Sequence, residues 1–140
     1  MLKSFLSAFV FSGATLFSVL SFAQGKIEFP SQQVIESQIL AFKAKEHEQA
    51  FSFASPRLQV IFRDVENFIR MVRNGYEPIY SARSWKFGRT KQDGSTIHHE
   101  VMISGPSGRD WVALYSLQKQ DDGSWRIISV RLLKAPGAGA

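Results

Sequence analysis

The chain has 140 residues, of which 44% are apolar, and this is enough for one domain with an ordinary hydrophobic core. It contains no cysteine, which excludes a disulfide framework, thiol catalysis and a lipid-modified cysteine. The formal net charge of +5 is typical of proteins that bind anionic partners such as nucleic acid. However, Glu66 stands among Arg63, Arg70 and Arg73 and can pair with Arg70 four residues later. We therefore interpret these basic residues as a solvated helix face and expect no nucleic acid partner.

The first residues have the features of a secretory signal peptide in the usual order. Lys3 supplies a positive start, residues 5–20 form an apolar stretch, and "SFA" gives a small-x-small cleavage site. We expect cleavage after Ala23 and a periplasmic or secreted protein without stable membrane insertion. The alternative is an uncleaved anchor, because residues 5–23 approach the ~20 needed to span a bilayer. The expected organisation is a signal peptide over 1–23, one domain over 24–134 and a flexible tail over 135–140.

Two helices are expected next. Ser31 is the expected N-cap of the first, whose apolar stripe runs to about Lys45. The segment "EQAFSFA" predicts a short second helix, which ends before Ser55.

Two further helices follow, each with a start signal. Ser55 and Pro56 give a capping hydroxyl and a proline at the first helical position. The inward residues of this third helix are expected to be Leu58, Ile61 and Phe62. Asp64 is the expected cap of the fourth helix, which ends at Asn74 and Gly75. Its apolar stripe consists of Val65, Phe68, Ile69 and Val72.

After Gly75 the apolar period changes from 3.6 to 2. Four strands are expected at about 83–91, 95–104, 110–119 and 124–134. They are joined by "QDG", "GPSG" and "DDG", each a short hairpin connection. The predicted fold class is therefore α+β, with N-terminal helices packed on a curved four-stranded antiparallel sheet.

The first hairpin has two possible registers. A loop of Asp93 and Gly94 would place Trp85 and Phe87 on the face of His98 and Glu100. A loop from Gln92 to Gly94, with Gly94 in the left-handed conformation, places them on the other face. We expect the second register, whose inner face also carries Ile97, His99, Val101 and Ile103. The sequence does not determine the register of the next hairpin, in which either Leu114 or Tyr115 lies opposite His99.

The last two strands are apolar on both faces. In an antiparallel sheet with one face exposed to solvent, apolar and polar residues should alternate along each strand. The helices can cover one face. We expect a second copy of the chain to cover the other, because symmetric homodimers are the commonest oligomers.

Three segments resemble an uncharacterised bacterial family of secreted domains, the domain-of-unknown-function family 4864. They are "AFSFASPRLQVIF", "FIRMVRNGYEPIYSARSWKF" and "DWVALYSLQKQDDGSWRIISVRLLKAPG". The order of helices and strands is similar to the nuclear transport factor two-like (cystatin-like) cone. This resemblance implies a fold but neither an activity nor catalytic residues, since that fold class hosts enzymes, ligand carriers and scaffolds.

The connection "MVRNGYEPIYSARSWKF", residues 71–87, supports two interpretations. Gly75 and Pro78 suit a structural corner, and in this interpretation the rings of Tyr76 and Tyr80 close the open end of the cone. Alternatively, Tyr76, Tyr80 and Arg83 form the polar rim of a pocket between sheet and helices.

His99 is expected to point inward, beside Trp85. It is either a core histidine bonded to a backbone carbonyl or, in a wet cone, a ligand contact or general base. Neither His98 with Glu100 nor "EHE" at 46–48 has a recognised metal spacing, so we predict no metal and no cofactor.

The favoured hypothesis is a non-catalytic domain that binds a small, partly apolar molecule in the cone. The alternatives are an interaction module for another envelope protein and a small isomerase or dehydratase that uses His99. No catalytic residue is assigned. The candidate ligand-binding residues are Tyr76, Tyr80, Arg83, Trp85, His99 and Tyr115.

Overall fold

A computed structural model describes residues 27–136, and in it five helices precede a four-stranded sheet. The predicted α+β class is confirmed. The expected signal peptide and residues 137–140 of the expected tail lie outside the described residues. The helices are α1 (Pro30–Lys43), α2 (His47–Ser52), α3 (Pro56–Phe62), α4 (Val65–Gly75) and α5 (Glu77–Tyr80). Within residues 27–136, no helix has the length and apolar character needed to cross a bilayer.

The strands form an antiparallel meander in the order β1-β2-β3-β4. Their bounds are Ser84–Asp93 for β1, Thr96–Ser104 for β2, Asp110–Lys119 for β3 and Trp125–Lys134 for β4. All four predicted strands are confirmed to within a few residues.

α1 begins differently from the prediction. Phe29 is extended at the N-cap position and Pro30 takes the first helical position. The side-chain oxygen of Gln32 accepts hydrogen bonds from the backbone N–H groups of Glu28 at 2.7 Å and Phe29 at 3.1 Å. The prediction of Ser31 as N-cap is therefore wrong, and its hydroxyl points into the core.

The predicted caps of α3 and α4 are confirmed. The Ser55 side chain accepts from the Leu58 N–H, and the Asp64 carboxylate accepts from the Asn67 N–H at 2.8 Å. The inward prediction for Ile61 is wrong, since it is 58% exposed. Leu58 and Phe62, four residues apart, turn the same side of this short helix to the core, and Ile61 lies about 100° from Phe62 around the helix axis.

The core lies between the helices and one face of the sheet. The inner face contributes buried residues from all four strands, among them Trp85, Ile97, Val101, Ala113, Leu117 and Ile127. The helices contribute Ile35, Ile39, Phe42, Phe68, Ile69 and Val72. The chain between α2 and α3 pairs with β4, because Ile127 N–H donates to Phe53 O and Ser55 N–H donates to Ile127 O.

In the first hairpin the side chains lie on the predicted faces, but the turn differs from the predicted one. Asp93 pairs with Thr96, so the turn contains Gly94 and Ser95, and the predicted loop from Gln92 to Gly94 is wrong. Gly94 does have a positive φ of 62°. The extra residue lies in a bulge between Phe87 and Thr90. This bulge keeps Trp85 and His99 on the inner face, as expected.

In the second hairpin His99 pairs with Tyr115 rather than with Leu114. The register that the sequence left open is thereby determined, and both side chains lie on the inner face of the sheet.

Candidate functional site

An apolar cavity of about 280 Å³ lies between the sheet and the helices. Its walls come from α1, α3, α4 and α5 on one side and from β3 and β4 on the other. None of the lining residues, all of them within residues 27–136, is charged. Its polar side chains are Gln38, Tyr76, Tyr115 and Ser129.

Tyr115 belongs to the wall formed by β3. It is 1% exposed, and its hydroxyl has no hydrogen-bond partner among the residues that the structure describes. Burial, with a smaller effect of Tyr76, raises the pKa of Tyr115 far above its ordinary value. The phenol therefore stays protonated and can donate a hydrogen bond at any physiological pH.

Tyr76 lies directly after α4 and is half-buried in the same cavity wall. Its hydroxyl donates to the backbone oxygen of Val130 at 3.0 Å. This hydrogen bond ties the end of α4 to β4, so Tyr76 has a structural role besides lining the cavity.

His99 lies inside the core, away from the lining of this cavity. Its Nε2 is 2.7 Å from the Ser31 hydroxyl and its Nδ1 is 2.8 Å from the Thr90 hydroxyl. Burial, with a smaller effect of His98, lowers the pKa of His99 to about 4. The neutral ring then has one donor and one acceptor nitrogen, and both are used in a link between α1, β1 and β2.

Tyr80 also lies away from the cavity. Its hydroxyl is 2.9 Å from Nε2 of His47, and the Arg73 guanidinium lies 5.5 Å from the centre of its ring. These contacts join α2, α4 and α5 at the surface.

Trp85 is buried, and its indole N–H points towards the Glu36 carboxylate at 3.4 Å. Arg83 is exposed, and its backbone N–H donates to Ser104 O. The predicted site residues are thus divided: Tyr76 and Tyr115 line the cavity, whereas Tyr80, Arg83, Trp85 and His99 do not.

Gln38 also lines the cavity and is absent from the residues predicted to bind a ligand. Its amide N–H donates to Ala50 O at 3.1 Å, and the side chain is 5% exposed. A signal was present, because Gln38 comes three residues after Ile35 and next to Ile39 on the apolar face of the first helix. A polar residue on such a face needs a buried partner.

Within residues 27–136, no group of three or more His, Asp or Glu side chains is placed to hold a metal ion.

A comparison with curated proteins gives no match. The family model described as Domain of unknown function (DUF4864) matches residues 26–140, which is most of the chain. The resemblance to this family that was drawn from the sequence is confirmed, and the chain belongs to it.

Proposed function

We propose that this protein is a non-catalytic binding domain that holds a small, partly apolar molecule in the cavity between its helices and its sheet. The observation that carries the proposal is the uncharged cavity of about 280 Å³, close to the lower end of ligand pockets at ~300 Å³. The arrangement of helices over one face of an antiparallel sheet supports the likeness to the nuclear transport factor two-like cone. The order of residues 3–23 supports a periplasmic or secreted location.

Helix α3 is the element that can admit a ligand. Leu58 and Phe62 line the cavity, yet none of the seven residues of α3 is fully buried. Displacing α3 therefore exposes less apolar surface than displacing α4, which buries Phe68, Ile69 and Val72.

Binding is favoured over catalysis because of where the titratable groups lie. An isomerase or dehydratase needs a base inside the pocket, facing the substrate. His99 has both ring nitrogens engaged with Ser31 and Thr90 and does not line the cavity. Its environment supports the core role predicted for it, although its partners are two side-chain hydroxyls and not the expected backbone carbonyl.

A second candidate function rests on the outer face of the sheet. Met102 pairs with Val112 and Val112 pairs with Leu133, so these side chains form one apolar row across three strands. Met102 is 48% and Leu133 is 41% exposed. We propose that this row is a protein interface, occupied by a second copy of the chain.

Native mass spectrometry of the processed protein, purified gently from its own envelope, tests the binding proposal. We expect extra mass that denaturation releases. The variant Val72→Phe extends a ring into the cavity and should retain none of that mass, whereas Val60→Phe, at a 77% exposed position of α3, should retain all of it. Bare polypeptide mass in the natural protein, or equal retention in both variants, would contradict the proposal.

A further inference from the structure

We propose that the cavity selects an uncharged, mostly apolar molecule carrying one hydrogen-bond acceptor oxygen, and that the Tyr115 hydroxyl recognises this oxygen. The inference rests on the proposed binding function and names the chemical class of the ligand.

The recognising group is identified by its missing partner. A buried phenol is normally hydrogen-bonded, and leaving a buried donor unpaired is unfavourable. Tyr115 belongs to the cavity wall, and its hydroxyl is buried without a partner among the described residues. A ligand oxygen that accepts its hydrogen removes this penalty, whereas a hydrocarbon does not.

The other polar groups of the wall are less available as donors. The Tyr76 hydroxyl already donates its hydrogen to Val130 O, and one Gln38 N–H donates to Ala50 O. Ser129 is exposed, and it pairs with Ser116 on the outer face of the sheet. Among the described residues, the Tyr115 hydroxyl is the buried side-chain polar group that has no hydrogen-bond partner at all, and this favours a ligand with an acceptor oxygen at its buried end.

The charge of the ligand follows from the lining. A buried carboxylate needs a cation or several hydrogen bonds, and burial without them costs far more than burial of a neutral group. None of the lining residues is charged, and no arginine or lysine of residues 27–136 is among them. Fatty acids and other apolar anions are therefore excluded from this cavity in their ionised form.

The size follows from the volume. An apolar cavity of about 150 Å³ accommodates benzene, so about 280 Å³ has room for a ring with a short substituent. Acetophenone, cumene and benzoate are suitable probes, because they have the same number of non-hydrogen atoms and nearly the same shape. They differ in carrying a neutral acceptor, no acceptor and a negative charge.

The test is an NMR titration of the folded protein and of its Tyr115→Phe and Tyr76→Phe variants with each probe. Tyr115→Phe should weaken acetophenone binding about tenfold, the loss expected when one hydrogen bond to a buried group is left unmade. Cumene binding should be unchanged in that variant, and benzoate should not bind. Tyr76→Phe should change the acetophenone and cumene affinities equally, because the Tyr76 hydrogen is already donated to Val130.

The outcomes separate the two proposals. If cumene and acetophenone bind but Tyr115→Phe alters both equally or neither, the recognition by Tyr115 is wrong and the binding cavity stands. Benzoate binding as tight as acetophenone binding would overturn the selection for uncharged ligands. If none of the probes binds, the cavity is not a ligand site and both proposals fail.

Discussion

The buried hydroxyl of Tyr115, which we propose to strengthen ligand binding, should lower the stability of the free protein. In the free protein this group has lost water and gained no partner among the described residues. Sites that bind ligands often keep such unsatisfied groups at a cost to the fold. A residue chosen for packing alone at this position would be phenylalanine.

We therefore predict that Tyr115→Phe stabilises the free protein by about 1 kcal/mol. Tyr76→Phe is the matched control, since it removes the same atom from a hydroxyl that donates to Val130 O. It should destabilise the protein by about 1 kcal/mol. Urea unfolding at neutral pH measures both changes. If Tyr115→Phe destabilises as much as Tyr76→Phe, the Tyr115 hydroxyl is satisfied in solution and is not reserved for a ligand.

The inward direction of Tyr115 could be predicted from its alternation with Ala113 and Leu117, but its role could not. A missing partner depends on which groups from distant helices approach the ring, and strand periodicity carries no such information. The same limit explains Tyr80, whose partner His47 lies on a short helix separated from it in the chain. In both cases the residue type indicated a hydroxyl that can form a hydrogen bond. Whether the hydroxyl has a partner depends on the tertiary contacts.

Among the elements, the four strands could be predicted more accurately than the turn of the first hairpin. The change of apolar period after Gly75 gave four strands and their faces, because one buried face fixes the inward set. The loop prediction failed because it placed the extra residue in the turn instead of in the strand. Gly88 carried the relevant signal, since glycine inside a strand often marks a bulge. A Cβ atom at Gly88 would lie 3.3 Å from Glu100 Cβ, so the bulge brings the two strands close there.

The hydrogen bonds of His99 join α1 to β1 and β2, and this junction should depend on pH. The pKa of His99 falls from 6.5 to about 4 on folding, so the unfolded chain binds more protons between these values. The stability that the neutral ring supports is complete above pH 6.5 and is lost as the pH falls towards 4. We predict a loss of about 2 kcal/mol between about pH 7 and pH 5 from this residue.

Urea unfolding at both pH values tests this prediction in the natural protein and in two variants. His99→Gln should lower stability at pH 7 and show a smaller further loss at pH 5, because the titrating group is gone. His98→Gln, which changes the exposed neighbour, should keep most of the loss, since burial is the larger cause of the shift. An unchanged pH dependence in His99→Gln would assign the effect to another group.

At the scale of the whole molecule, the helices within residues 27–136 lie on one face of the sheet and none of them covers the other. The exposed row of Met102, Val112 and Leu133 is flanked on the same face by the ion pair of Arg89 and Glu100, whose side-chain atoms lie 2.7 Å apart. An apolar strip with a charged border is the usual composition of a protein interface. A second copy related by a two-fold axis would place the same strip opposite itself.

We predict a dimer that Met102→Glu and Leu133→Glu each convert to monomer. Each substitution brings two like charges into an apolar contact, which costs several kcal/mol and should raise the dissociation constant about a hundredfold or more. Val60→Glu, on the exposed side of α3, should leave the dimer intact, because that surface lies away from the outer face of the sheet. Sedimentation velocity distinguishes these outcomes. A natural protein that stays monomeric at high concentration would exclude the dimer, and a dimer that survives both sheet variants would have its interface elsewhere on the molecule.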